Sequence, residues 1–84
     1  MSIRDAVLDV VLFVARQRDP TVADVDPEKS LSADLGFQSL DLAQVAAELE
    51  VRLGLDPFAR YAASRLRTVG DLVGLYEEAG QAKR

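Results

Sequence analysis

The 84-residue chain contains no cysteine, no histidine and no tryptophan. Without Cys and His it cannot form disulfides, thiolate nucleophiles, the usual zinc sites or any serine–histidine catalytic arrangement. Only three Phe and two Tyr are aromatic, while 49% of the residues are hydrophobic. Aliphatic side chains and Ala must therefore fill the core, which favours packed helices. We predict that the chain has no catalytic residue and no metal site of its own.

The sequence also lacks a long hydrophobic run. The longest is 10–15, far below the roughly 20 residues that a membrane-spanning helix requires. Arg4, Asp5 and Asp9 interrupt the region that would have to be the apolar part of a signal peptide. We therefore expect no contact with a membrane and a cytoplasmic location.

The length is sufficient for one domain, residues 1–84, with a single hydrophobic core. Ser2 is a plausible N-cap for a first helix at about 3–17, and Pro20 forbids its continuation. Apolar residues recur at helical spacing along that helix, at Ile3, Val7, Val10 and Val14. Residues 19–38 show no regular period and predict a long loop, which we expect to be packed through Val22, Val25, Leu31, Leu35 and Phe37.

Three further helices are predicted after this loop. Helix two covers about 39–53 and ends at Gly54, a short third helix covers about 57–63, and helix four covers about 69–79 and is closed by Gly80. A polar tail follows at 80–84. The predicted fold is all-α, a small four-helix bundle with three longer helices, a short third helix and a long loop between helices one and two.

Helix two carries apolar residues on two opposite sides. Leu42, Val45, Ala46, Leu49 and Leu53 cluster on one side, which we assign to the core. Leu40, Ala47 and Val51 cluster on the other, with Asp41, Gln44 and Glu48 along one edge. An apolar strip flanked by acidic residues is an unusual solvent-facing surface.

Charge is concentrated around helix two. Residues 19–56 contain nine acidic and two basic side chains, a net charge of −7, while residues 1–18 carry +1 and residues 57–84 carry +2. A region of this sign repels nucleic-acid phosphates and attracts basic protein patches. We expect a monomer that binds proteins rather than nucleic acid; simple solvation of the acidic face is an equally good interpretation.

Ser39 lies where the Gly36 turn becomes helix two. On local physics alone, a serine before an amphipathic helix is most often an N-cap. Catalysis by Ser39 is disfavoured because the chain has no His to act as its base.

The segment Asp34-Leu35-Gly36-Phe37-Gln38-Ser39-Leu40-Asp41 resembles the attachment motif of acyl and peptidyl carrier proteins. The resemblance covers most of the chain, since the helix order also agrees and Thr68-Val69-Gly70-Asp71-Leu72 is similar to the start of the family's last helix.

By this resemblance, a phosphopantetheinyl transferase would attach 4′-phosphopantetheine from coenzyme A to Ser39, and acyl or aminoacyl groups would be carried as thioesters on the cofactor's thiol. The chain would then be a non-catalytic carrier, since the reactivity belongs to the cofactor. Its other partners would be acyl- or amino-acid-loading enzymes and downstream synthases or transferases. They would contact helix two through six residues: Gln38, Leu40, Asp41, Ala47, Glu48 and Val51.

One residue departs from the family's pattern. Gln38 stands where many members have Asp or His, and Arg60, Arg65 and Arg67 form a basic group near the third helix. Both features favour a free-standing acyl carrier of polyketide or other specialised-metabolite biosynthesis over one of fatty-acid synthesis. Two alternatives remain: a peptidyl or aminoacyl carrier of a nonribosomal peptide pathway, and a helical interaction module that is never modified.

Overall fold

The structure, a computed structural model, describes residues 2–59, 62 and 65–82. In these residues the chain forms three α-helices and one turn of 3-10 helix, with no β-strand. The elements are α1 (Ile3–Arg18), α2 (Ser39–Leu53), the 3-10 turn Pro57–Ala59 and α3 (Val69–Ala82). The predicted all-α class is confirmed.

The expected four-helix bundle is corrected to three α-helices in the described part of the chain. The predicted third helix is represented by the 3-10 turn, in which the Ala59 N–H donates to the Asp56 carbonyl at 3.3 Å. Pro57 begins this turn and is buried, and Ala62 is not helical. The other residues predicted for this helix beyond Ala59, 60, 61 and 63, lie outside the described residues.

α1 begins and ends for local reasons that the sequence already indicated. The Ser2 Oγ accepts the Asp5 N–H at 3.0 Å, which satisfies one of the unpaired donors of the first turn. The helix ends at Arg18, one residue beyond its predicted end, just before Pro20. Leu8 and Leu12, outside the predicted core face, are partly buried against the core and widen its contact.

The core lies between α1 and the other two helices, because α1 packs against both α2 and α3. α1 contributes the largest buried set: Ala6, Val7, Val10, Val11, Val14 and Ala15. α2 contributes Val45 and Leu49, and α3 contributes Val69, Leu72, Val73 and Tyr76. No helix in the described ranges combines the length and hydrophobicity needed to span a membrane.

α3 is longer than predicted, and the role assigned to Gly80 is wrong. At the start of this helix, the Thr68 Oγ1 accepts the Asp71 N–H at 3.1 Å. The helix then continues past Gly80 to Ala82. A Cβ at Gly80 would meet the end of the Ile3 side chain of α1, which would have to shift. This glycine therefore permits close helix packing instead of terminating α3.

The long loop, residues 19–38, is packed as predicted. Val25, Leu31 and Phe37 are buried, and a turn at Asp26 is closed by the Lys29 N–H donating to the Asp26 carbonyl at 2.9 Å. The loop is tied to the segment before α3 by an isolated β-bridge between Ser30 and Thr68. These contacts hold the end of the loop, where α2 begins.

Candidate functional site

The turn before α2 is fixed by its own hydrogen bonds. Ser30 and Asp34 bond reciprocally: the Ser30 N–H donates to Asp34 Oδ2 at 2.7 Å and the Asp34 N–H to Ser30 Oγ at 2.9 Å. Gly36 adopts a left-handed conformation, φ +69°, which costs glycine little and most other residues more. Phe37 then buries its ring in the core. The position of the next residues is thereby set.

The first residue of α2 is Ser39, and its N-cap is Gln38. The suggestion that Ser39 itself is the N-cap is therefore wrong. The Gln38 N–H donates to Asp41 Oδ2 at 2.8 Å, and the Asp41 N–H donates to the Gln38 carbonyl at 3.0 Å. Asp41 thus reaches back over the helix start, as the third residue of a capping box does. The serine hydroxyl is not needed for capping.

The Ser39 side chain is exposed, and its hydroxyl has no hydrogen-bond partner within the described residues. Because Ser39 and Leu40 open the helix, their N–H groups precede the first intrahelical bond. These donors and the positive end of the helix dipole favour a negatively charged group at this position. An exposed hydroxyl that could be esterified to phosphate therefore lies where the phosphate would be stabilised.

An ion pair joins this helix start to α1. The Arg18 Nη1 lies 2.8 Å from Asp41 Oδ2, and only 13% of the Asp41 side chain is exposed. We predicted Asp41 as a partner-binding residue, and the structure adds an intramolecular contact that the sequence analysis missed. The only sequence signals were a basic residue in the last turn of one helix and an acidic residue in the first turn of the next. The two residues are 23 positions apart.

The outer side of α2 has the arrangement that the sequence predicted. Leu40 and Val51 are 80% and 85% exposed, and Ala47 between them is exposed too. We call these three residues the outer strip. Gln38 is exposed at its end, whereas Glu48 is partly buried on the edge of α2 that faces α1. Leu40, at one end of the strip, directly follows the exposed Ser39.

The basic residues near the predicted third helix, metal ligands and shifted pKa values are the remaining features to place. Arg65 and Arg67 are exposed, whereas Arg60 lies outside the described residues. No cluster of acidic residues that could hold a metal ion occurs in the described ranges. Three groups in the described ranges have shifted pKa values, and none lies on α2. Hydrogen bonds from Thr21 lower the pKa of Asp19, and hydrogen bonds from the Arg67 and Thr68 N–H groups lower the pKa of Asp71. Burial raises the pKa of Tyr76 to about 12.

Fold and site together define a small helical domain that presents one exposed serine at the start of its second helix. The sequence profile of the family described as phosphopantetheine attachment site matches residues 8–76, most of the chain. The chain belongs to this family. No solved structure matched it.

Family membership makes this chain a phosphopantetheine carrier, with 4′-phosphopantetheine as its covalent cofactor. Carriers of this family are generally non-catalytic and interact with a phosphopantetheinyl transferase and with biosynthetic enzymes. The residues around the start of α2 fit such a group, because the Ser39 hydroxyl is exposed and lies beside free helix N–H groups.

Proposed function

We propose that Ser39 carries the 4′-phosphopantetheine arm and that the chain is an acyl carrier protein holding acyl intermediates as thioesters in polyketide or other specialised-metabolite biosynthesis. The observation that supports the attachment residue is the Ser39 hydroxyl, which is exposed while Gln38 and Asp41 cap the helix. The sequence around it, Gly36 to Asp41, also carries the resemblance to the attachment motif.

In the attachment reaction, the Ser39 oxygen would form a bond to the β-phosphorus of coenzyme A. The pyrophosphate bond to the nucleotide would break, and adenosine 3′,5′-bisphosphate would leave. The hydroxyl proton would pass to a base on the transferase, since this chain contains no His. What the chain contributes is an accessible nucleophile and helix N–H groups that favour the resulting phosphodiester. The bound arm supplies a thiol that forms thioesters.

The decisive experiment is intact-mass measurement after incubation with coenzyme A and a broad-specificity phosphopantetheinyl transferase. We expect a gain of one phosphopantetheine group, lost in Ser39→Ala and retained in Ser32→Ala. Ser32 is a suitable control because it is also an exposed serine in the turn before α2. No gain in the wild-type chain would favour the unmodified helical interaction module. A gain that survives Ser39→Ala would place the arm elsewhere.

The outer strip is the proposed contact surface for partner enzymes. Isolated exposed apolar residues are common on soluble proteins, but these three lie on one side of α2 and acidic residues flank them, with Glu50 on one side and Glu48 on the other. Such a surface suits an apolar contact guided by basic partner residues. Gln38 and Asp41 at the same end of the helix complete the proposed contact set.

A peptidyl or aminoacyl carrier of a nonribosomal peptide pathway is the second candidate. Loading assays separate the candidates: an acyl carrier is expected to accept acyl groups from an acyl-CoA-dependent transferase, and a peptidyl carrier to accept amino acids from an amino-acid-activating enzyme. The cytoplasmic location and the monomeric state remain predictions.

A further inference from the structure

Polar side chains link α1 to α2 at three levels. Arg52 Nη1 lies 2.7 Å from Asp9 Oδ2 at the carboxyl end of α2, and Gln44 Nε2 donates to Gln17 Oε1 at 2.9 Å nearer its start. Arg18 and Asp41 form the third link, at the helix start itself. Only this last link lies beside the proposed attachment residue.

Arg18 lies next to the chain on both sides of Ser39. Its Nη1 bonds Asp41 Oδ2, two residues after the serine. Its Nε would be 3.9 Å from a Cβ placed on Gly36, three residues before the serine. The guanidinium group therefore stands beside the turn and beside the first turn of α2. One side chain from α1 thus joins the two segments that determine where the Ser39 hydroxyl points.

The negative charge of Asp41 is unfavourable for a phosphate at Ser39, and Arg18 offsets that charge. The Asp41 carboxylate caps the Gln38 N–H, which orders the helix start. The same negative charge, two residues from Ser39 and mostly shielded from solvent, repels a phosphate brought to that serine. Pairing with the guanidinium group offsets this charge while leaving the cap in place, in a region that is otherwise strongly acidic.

We propose that Arg18 is a positioning residue for cofactor attachment: it fixes Asp41 on the Gln38 N–H and neutralises it, so that the phosphate of coenzyme A meets no unpaired carboxylate at Ser39. The proposal rests on Ser39 being the attachment residue. It assigns a function in modification to a side chain 21 residues before that serine, on a different helix.

Arg18→Ala tests the proposal, with Arg52→Ala as its matched control. Both substitutions remove one positive charge and one α1–α2 ion pair, and both arginine side chains are 40% exposed. They differ in place, since Arg52 is about 20 Å from Ser39 along the helix axis. We expect kcat/KM for phosphopantetheinylation to fall about three- to tenfold in Arg18→Ala and to stay near the wild-type value in Arg52→Ala.

Two further measurements separate positioning from general stability. In Arg18→Ala the Gln38 amide should exchange with solvent faster, and the 31P resonance of the phosphodiester in the loaded protein should shift. Neither signal should change in Arg52→Ala. Arg18→Lys, which keeps the charge without the planar fork, should recover part of the rate.

The outcomes are distinguishable. If the wild-type chain gains no phosphopantetheine, Ser39 attachment fails and the role of Arg18 fails with it. If the wild-type chain is modified and Arg18→Ala reacts as fast as Arg52→Ala, the role of Arg18 is overturned while Ser39 attachment stands. Should Arg18→Ala fail to fold by circular dichroism, Arg18→Gln, which keeps more of the side chain without its charge, is compared with Arg52→Gln in the same way.

Discussion

The two sides of α2 carry the same kinds of apolar residue but differ in what covers them. Val45 and Leu49 on the inner side are completely buried against the rest of the core, whereas Leu40 and Val51 on the outer side are 80% and 85% exposed. A Leu or Val on this helix therefore has one of two roles. The inner residues stabilise the fold, and the outer residues are available to another molecule.

The polar residues of α2 follow the same division. Asp41, Gln44 and Arg52 bond to α1 and lie on the edge between the two sides. Substitutions on the inner side should therefore change the free energy of unfolding, and substitutions on the outer side should change reactions with partners. Four measurements test this division.

The largest effect is expected on the inner side. Leu49→Ala should lower the free energy of unfolding by about 2–5 kcal/mol, because it removes buried methyl groups and leaves a cavity. Leu40→Ala, the same change on the outer side, should alter it by less than about 0.5 kcal/mol. Urea denaturation followed by circular dichroism measures both. Equal losses in the two variants would contradict the division.

The ionisation of the Tyr76 phenol measures how well the core excludes water. The Tyr76 side chain is fully buried, and burial, together with the nearby charges of Asp56 and Glu50, raises its pKa from 10.0 to about 12. The folded state thus resists losing this proton. Below pH 10 the tyrosine contributes its full stability, and from there to about pH 12 the free energy of unfolding should fall by at most roughly 1.4 kcal/mol per pH unit.

The measurement is the difference between wild type and Tyr76→Phe in denaturant-unfolding free energy across this pH range. The difference isolates Tyr76 from the other groups that titrate at high pH. In the variant this component of the pH dependence should be absent. A difference that stays constant from pH 9 to pH 12 would show that the phenol ionises in the folded state as easily as in the unfolded state.

The outer strip should respond in the opposite way to Leu49. Leu40→Asp and Val51→Asp place charge where a partner's apolar surface is proposed to pack, so phosphopantetheinylation and acyl loading should each slow by about tenfold. Helicity by circular dichroism should be retained, because both side chains are exposed. Gln81→Asp on α3 adds the same charge at another exposed helical position and should leave the rates unchanged. Unchanged rates in the two strip variants would remove the proposed contact surface.

The smallest effect is expected at the edge between the two sides. Asp9→Ala breaks the ion pair with Arg52, and both of its side chains are substantially exposed. Exposed pairs of this kind contribute between about 0 and 1 kcal/mol. Thermal and urea unfolding should therefore show a small loss that diminishes further in high salt. A loss as large as that of Leu49→Ala would mean that the edge is part of the core.

Much of the division between the two sides of α2 could be predicted from the sequence. Helical spacing identified the buried side of α2 and its exposed strip, and Gly54 correctly marked its end, where φ is +68°. These predictions succeeded because burial of one side of a helix depends on a period that is local in sequence. The motif around Ser39 supports the proposal that Ser39 is the attachment residue, which stays a prediction.

Three features of the fold differ from what the sequence predicted. Within the described residues, the predicted short third helix is represented by a 3-10 turn at Pro57–Ala59. α3 continues past Gly80 to Ala82, and Ile3 of α1 packs beside this glycine. Ser39 became the first residue of α2 and not its cap, because Asp41 reaches back to the Gln38 N–H. Rules based on residue spacing do not include the contacts of Ile3 with α3 or of Asp41 with the Gln38 N–H, and they locate the ends of helices less well than their buried sides.

The sequence by itself determined the helical class, the two apolar sides of α2 and the absence of catalytic His and Cys chemistry. These follow from composition and from periods of a few residues. Only the tertiary structure decided that Arg18 pairs with Asp41 beside Ser39, across 23 positions of sequence. The physical reason is that a side-chain ion pair acts over a few ångströms. Which carboxylate Arg18 pairs with is therefore set by how α1 and α2 pack together around the loop that joins them.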